Sequence, residues 1–379
     1  MTPAHPRPSQ PAFHIVDLFA GPGGLDVAAD ALGVPITGIE WDANACETRR
    51  RAGLRTVQGD VRHYNAADFP QANVLTGGPP CQTFTVAGHG AGRRALDDVL
   101  EFVERLVARD DPSKIDIDLA KLEDERTGLV LEPLRWALEA LDIPGLDPYE
   151  AIVLEQVPAV LPVWEAFEVA LKAAGYGTTS GILQTEEFGV PQTRRRAVLI
   201  ARLNVPDDEV NLPEPTHKPY RKETNRAGDP QLDLAVQEQK LEQWMSMQAA
   251  LPQRTSPFVV ISNYGTGGDP RARGKRKSSE PSATVTGKIS RNRVVTPDGV
   301  ELPRFDFSEA GRLQSFPAAY PWSGKDIAQQ IGNAVPPRLG MHVLSAALDL
   351  GKPSKATLER LASWKPPKSQ EAPAQTPTP

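Results

Sequence analysis

The first hundred residues alternate between short apolar runs and segments whose apolar positions recur at helical spacing, and such runs return between 129 and 203. HIVDLFA (14–20) predicts a buried strand, which GPGG turns into LDVAADALG, a helix stopped by Gly33. VPITGIEWD (34–42) reads as a second strand with ANACETRRRAGL as its helix, and TVQGDV (56–61) and NVLTGG (73–78) as a third and fourth strand. LVLEPLRWALEAL (129–141) has helical period, and EAIVLEQV (150–157) is a buried strand with a polar end. VWEAFEVALKAAG is a helix stopped by Gly175, and YGTTSGILQ and RRAVLIARL (195–203) are further strands. Strands separated by helices imply right-handed crossovers, so the expected fold class is α/β, a doubly wound and mostly parallel sheet.

Elsewhere the pattern is weaker. Between Ala87 and Glu123, DDVLEFVERLVARDD predicts a helix, but DPSKIDIDLAKLEDE is charged and reads as a surface insertion. After Asn204 proline and charge rise, with one helix expected in DLAVQEQKLEQWMSMQAAL (233–251) and a loop-rich basic stretch to Val295. Helical order returns in IAQQIGNAVPPRLGMHVLSAALDL (327–350). The expected division is a disordered start (1–12), a large domain (13–203, with 87–123 as an insertion), a smaller irregular domain (204–300), a segment returning to the large domain (301–350) and a disordered tail (351–379).

Composition narrows the setting. With 379 residues, 40% of them hydrophobic, the chain can bury at least one substantial core. Its two cysteines, Cys46 and Cys81, form no disulfide framework and lack metal-ligand spacing, so a cytoplasmic setting and no metal are expected. No apolar run approaches membrane-spanning length, and MTPAHPRPSQPAF has no apolar signal core, so a soluble protein with no membrane partner is expected. The formal charge of −6 argues against nucleic acid only as an average. From Arg254 to Arg293 there are nine Lys or Arg against two acids, with RARGKRK (Arg271, Arg273, Lys275, Arg276, Lys277) at the centre. Such a patch can neutralise phosphates, and Asn263, Tyr264 and the glycines of NYGTGGD form a polar loop able to reach base edges.

Four short stretches carry candidate chemistry. DLFAGPGGLD puts a glycine-rich turn between the first strand and helix, where a ligand can approach the backbone, but it lacks the third glycine of the dinucleotide fingerprint. Glu40 follows Asp17 by 23 residues, at a ribose-binding position; Trp41 can stack on adenine and Asp60 can accept from an exocyclic amine. Together they point to an adenosine-bearing cofactor without pyrophosphate. GGPPCQTFT (77–85) holds Cys81 on a stiff loop, which lowers the entropy lost in positioning a sulfur nucleophile. LEQV places Glu155 at a strand end, where a carboxyl can hold or donate a proton, and QTRRR puts Arg194 and Arg196 on one side of a strand. A thiolate, a proton donor and a fixed cation are a set that can activate a ring.

These blocks and their order resemble the cytosine-5 DNA methyltransferases of bacterial and phage restriction-modification systems, over nearly all of residues 13–350. DLFAGPGGLD resembles the cofactor loop, GIEWD the ribose and adenine contact, GGPPCQTFT the nucleophile loop, and QTRRR the family's Gln-x-Arg-x-Arg. DERTGLV with LEPLRWAL, EAGRLQSFP and QQIGNAVPP resemble further blocks, while LEQV has Gln156 where the family usually has Asn, a change expected to bear on loop anchoring. The resemblance implies a Rossmann-like catalytic and cofactor-binding domain at 13–203 and a target-recognition domain at 204–300. It implies methyl transfer from S-adenosylmethionine to carbon 5 of a flipped-out cytosine in a specific duplex DNA sequence, through a covalent Cys81 adduct. Glu155, Arg194 and Arg196 would complete the catalytic set. Phe19, Gly21, Gly23, Gly24, Leu25, Glu40, Trp41, Asp60, Pro79, Asn333 and Val335 would hold the cofactor, and Gln82 and Thr85 would lie along the flipped nucleotide. It further implies a bacterial protein associated with the nucleoid, acting as a monomer, with a cognate restriction endonuclease in the same system but no stable complex with it. The alternatives are a transfer-RNA cytosine-5 methyltransferase, against which the large variable region argues, and a catalytically silent DNA-binding regulator, against which Cys81, Glu155 and the arginines argue.

Overall fold

The computed structural model describes residues 13–80, 91–122, 125–221, 241–265 and 273–366. In chain order the first elements are β1 (Ile15–Leu18), α1 (Gly24–Leu32), β2 (Ile36–Glu40), α2 (Ala43–Arg51), β3 (Thr56–Gln58) and β4 (Val74–Gly77). They are followed by α3 (Ala91–Val107), α4 (Pro112–Leu119), α5 (Glu132–Asp142), β5 (Ala151–Gln156), α6 (Leu161–Ala173), β6 (Tyr176–Gln184) and β7 (Arg195–Leu203). These strands form one seven-stranded sheet in the order β3-β2-β1-β4-β5-β7-β6. Neighbours are parallel except for β7, which runs antiparallel to both β5 and β6. The strand order reverses between β1 and β4, so the connections leaving their carboxyl ends diverge and open a crevice there.

The apolar runs follow from cover on both faces. Along β5, Ile152 and Leu154 enter one core cluster while Ala151 and Val153 enter the other; along β7, Leu199 and Ile200 divide in the same way. The first cluster is closed by α3, α5 and α6 through residues such as Phe102, Trp136 and Phe167. The second is closed by α1 and by two later helices, α10 (Pro337–Ala347) and α11 (Lys355–Ala362).

The remaining elements build a second, smaller unit. After α7 (Met247–Ala250), strands β8 (Val259–Gly265), β9 (Arg273–Lys277), β10 (Arg293–Val295) and β11 (Glu301–Leu302) form an antiparallel sheet in the order β11-β10-β8-β9. Its core includes Phe258, Val260, Val294 and Phe305, and it continues into α8 (Phe307–Leu313) and α9 (Ile327–Asn333) through Leu313 and Ile331.

Several expectations are corrected. Within 87–123 the helix expected in DDVLEFVERLVARDD is present as part of α3, which buries Val99, Phe102 and Val103 in the first core cluster, while the charged segment expected at the surface is helical at α4 and largely exposed, with Ile115 buried. The stretch expected to be loop-rich to Val295 carries the second sheet, which extends past residue 300 to Leu302. Of the helix expected at 233–251, residues 233–240 lie outside the described residues and only Met247–Ala250 is helical in the rest. The tail is ordered to residue 366, because α11 buries Leu361 against α1 and Trp364 Nε1 donates to Asp30 Oδ2 at 2.7 Å. The helical order expected at 327–350 is present as two helices, α9 and α10, divided at Pro336 and Pro337 where no backbone N–H is available.

Candidate active site

The turn after β1 is built from left-handed backbone: Phe19, Gly21 and Gly23 have φ of 61°, 54° and 104°. It swings the chain from a strand end to the N-terminus of α1 and leaves Gly21 N–H free to donate to Glu40 Oε2 at 2.7 Å. Glu40 Oε1 accepts from Asp42 N–H at 2.6 Å, so the carboxylate is fixed at the end of β2. Burial raises its pKa, and the two backbone donors oppose that rise. Gly24 is obligatory for packing: a Cβ there would fall on the Val335 carbonyl of the segment joining α9 and α10. Below the turn Arg49 is fully buried in a bidentate pair with Asp26 at 2.7 and 2.8 Å and donates to Thr56 Oγ1 at 2.9 Å. Asp17, bonded by Thr76 Oγ1 at 2.6 Å, is held above the carboxylate range by burial and by Asp26.

The loop after β4 faces this turn. Gly78 N–H donates to Leu18 O at 3.2 Å, and Gln156 Nε2 at the end of β5 donates to Pro79 O. Gln156 therefore ties the loop that leads to Cys81 onto the central sheet. From β5 and β7, Glu155 Oε1 and Arg196 Nε approach to 2.9 Å, and both side chains are about nine-tenths buried. Arg194 sits deeper, donating to Val285 O at 3.0 Å and Gly332 O at 2.9 Å. Burial and the neighbouring Arg196 lower its pKa. Arg194 thus ties the second sheet's flank and α9 to β7, while Arg196 reaches the cavity beside Glu155.

The turn, the loop after β4 and the ends of β5 and β7 border a cavity of about 610 Å³. Phe19, Gly21, Gly24, Leu25, Glu40, Trp41, Asp60, Pro79, Asn333 and Val335 are on its wall together with Glu155, Arg194 and Arg196. Gly23 is not: it caps α1 and packs behind the turn, where a Cβ would strike Leu54 and the Tyr320 hydroxyl. Asp17, Leu129 and Val157 also line the cavity, although no sequence signal singled them out for it. Asp60 carries a bidentate ion pair with Arg62, which lowers its pKa. Cys81, Gln82, Thr85 and Arg271 lie outside the described residues.

An adenosine-bearing cofactor suits this wall. Each Glu40 oxygen accepts one N–H and retains acceptor capacity for a hydroxyl. The Trp41 indole is 70% exposed at the cavity rim, a free stacking face, and a Cβ at Gly21 would point into open space.

The basic stretch divides into two classes. Arg254 is bound to Glu309 at 2.6 Å and lies over the Phe258 and Phe305 rings, and Arg293 pairs with Glu301. Lys275 and Lys277 are exposed on β9, and Arg273 is partly exposed. Arg276, opposite Val260 in the ladder, faces the other way, stacking on Tyr220 at 4.5 Å from the ring centroid.

The family model for C-5 cytosine-specific DNA methylase matches residues 13–114 and 150–348. The Type II methyltransferase M1.HphI of Haemophilus parahaemolyticus is 28% identical over 380 residues, covering 88% of this chain and 86% of its own. The Type II methyltransferase M.NgoMIV of Neisseria gonorrhoeae is 25% identical, with coverages of 86% and 94%. The fold matches the S. pombe Dnmt2 methyltransferase with a TM-score of 0.56 at 18% identity, covering 89% of this chain and 99% of that one. It also matches a putative DNA modification methyltransferase encoded within an E. coli prophage, with a TM-score of 0.52 at 19% identity and coverages of 89% and 99%. Among the described residues no helix is long and apolar enough to cross a membrane. The chain belongs to the C-5 cytosine-specific DNA methylase family.

Proposed function

We propose that this enzyme, a DNA cytosine-5 methyltransferase by family, uses S-adenosylmethionine and a covalent Cys81 adduct on a cytosine extruded from duplex DNA. The supporting observation is the single cavity in which the Gly21, Glu40 and Asp60 wall meets the Glu155–Arg196 pair. Pro80, the residue before Cys81, also lines it. A base inside a duplex cannot reach such a cavity, so the cytosine must leave the stack.

The residue roles follow from chemistry. The Cys81 thiolate adds to carbon 6, and the electrons of the carbon 5–carbon 6 bond move toward carbon 5. Arg196 holds the carbonyl oxygen, and Glu155 shares a proton with ring nitrogen 3 and accepts from the exocyclic amine, which spreads the developing charge. Glu40, Trp41 and the Gly21 turn would hold S-adenosylmethionine, which supplies the electrophilic methyl group that carbon 5 takes in exchange for its proton. Water accepts that proton; the ring double bond reforms and Cys81 leaves. The unit carrying β8–β11 reads the flanking sequence, with Arg273, Lys275 and Lys277 directed to phosphates.

A duplex bearing 5-fluorocytosine at the target tests this, because fluorine cannot depart as a proton does. With S-adenosylmethionine present, the wild-type chain is expected to form a stable adduct at Cys81, and Cys81→Ser to form none while still binding the cofactor. Methyl transfer by Cys81→Ser at near wild-type rate would refute the covalent route, and labelling of transfer RNA in place of DNA would refute the substrate.

A further inference from the structure

Tyr320, between α8 and α9, lies 298 positions along the chain from Pro22 of the glycine turn and is not on the cavity wall. It is only 5% exposed, and its ring packs among Phe316, Trp322 and Trp364 at centroid distances of 4.7, 4.8 and 5.7 Å. A phenylalanine would supply the same ring packing, so the hydroxyl is the part that calls for a reason. It donates to Pro22 O. Burial holds its pKa far above the usual phenol range, so it remains a donor at any working pH.

That hydrogen bond is the first of a chain. The Pro22 carbonyl shares a peptide unit with the Gly23 N–H, which donates to Ala20 O at 3.2 Å. The Ala20 carbonyl in turn shares a peptide unit with the Gly21 N–H, which donates to Glu40 Oε2 at 2.7 Å. Both units are trans, so carbonyl and N–H point to opposite sides, and fixing one aims the other. Arg49 steadies the middle of the chain, its buried Nη1 reaching Ala20 O at 3.5 Å while its fork is held by Asp26, Thr56 and Arg55 O. Hydrogen bonds linked in this way polarise one another where water is excluded. From Tyr320 to Glu40, each donor therefore takes its direction from the one before it.

We infer that Tyr320 is a positioning residue for the cofactor's ribose: its hydroxyl orders the turn so that Glu40 stands ready to accept from a ribose hydroxyl. The inference rests on the S-adenosylmethionine reading above and adds to it a residue that does not line the cofactor's cavity. Without the hydroxyl, the Pro22–Gly23 peptide is free to turn and Gly21 N–H loses its fixed direction. Glu40 must then be ordered when the ligand arrives. That cost falls on a ligand that uses Glu40 and spares one that does not.

The test is calorimetric titration of the full chain, without DNA, using S-adenosylhomocysteine and its analogue whose ribose lacks both hydroxyls. The wild-type chain is expected to bind S-adenosylhomocysteine at least about tenfold more tightly than the analogue, the worth of a hydrogen bond to a charged acceptor. Tyr320→Phe keeps the ring and should weaken S-adenosylhomocysteine while leaving the analogue as in wild type, so the ratio falls toward one. In a Glu40→Ala chain, adding Tyr320→Phe should cause no further loss, because the two residues act through one contact. Arg49→Lys keeps the charge but not the fork; it should lower the same ratio, and it decides the matter where Tyr320→Phe does not fold. Equal losses for both ligands in Tyr320→Phe would mean a merely structural role and overturn the inference, as would unchanged binding of both or additive losses with Glu40→Ala. A wild-type chain that binds neither ligand would overturn the cofactor reading, and this inference with it.

Discussion

At the scale of single residues, burial settles the charge of His342. Its ring packs against Phe188 with centroids 5.2 Å apart, and its Nε2 has no partner. Burial, with Arg338, His217 and Lys352 nearby, pushes its pKa down to about 3. The native ring therefore stays neutral below pH 6.5, where the unfolded chain takes up a proton. Stability contributed by the neutral ring is present above pH 6.5 and falls toward pH 3, by about 1.4 kcal/mol per unit over the middle of that window. Glu186, raised to about 7 by burial, and Asp17, raised too, act in the opposite sense, losing stability as pH rises toward neutrality. Urea unfolding of wild type and His342→Leu at pH 7.5, 6 and 5 should thus give a difference that grows in favour of the variant as pH falls; a constant difference would refute the assignment. At this scale the sequence marks Glu40, Trp41, Asp60 and Glu155 through their positions at strand ends. It does not mark Arg49, which is one of three consecutive arginines in the expected helix ANACETRRRAGL, yet is fully buried against Asp26.

At the scale of elements, α11 shows that a short amphipathic segment acquires its structure from its partner. Ser354 caps it by accepting from Thr357 N–H at 3.1 Å, and Leu361 and Trp364 are buried against the second core cluster beside α1. Trp364→Ala should destabilise the fold by about 3–5 kcal/mol, as for other large buried aromatics, with a lowered thermal midpoint as the measure. A change below about 1 kcal/mol would mean that the helix is not docked in solution. The strands of the large sheet are legible because each needs only its local run of apolar residues. The helix α4 is less so: charged residues dominate its composition, and its buried position, Ile115, counts only once the core it enters is in place.

At the scale of the whole molecule, the acidic chain presents a local basic surface, but not all of its cations are available to it. Arg254 and Arg293 are engaged by Glu309 and Glu301, whereas Lys275 and Lys277 are exposed. Replacing Lys275 and Lys277 together by alanine should reduce the slope of log affinity for DNA against log salt by about 2, roughly one for each phosphate that a lysine neutralises. Arg254→Ala should leave that slope unchanged while lowering thermal stability, since its partners are Glu309 and two phenylalanine rings. Equal slopes for all three chains would remove β9 from the DNA surface.

The sequence by itself determined the alternating strands and helices, the glycine turn, and the residue types that the chemistry requires. Each of these depends on neighbours a few positions away, through backbone sterics and the periodicity of side chains. Only the tertiary structure decided that Glu155 and Arg196 lie 2.9 Å apart on adjacent strands, and that Val335 closes over Gly24 from more than 300 residues away. It also separated Arg194, turned onto two carbonyls, from Arg196 beside the cavity. Such contacts arise from packing between distant segments, where burial and geometry, rather than residue type, determine which charge is a strut and which is presented to a ligand.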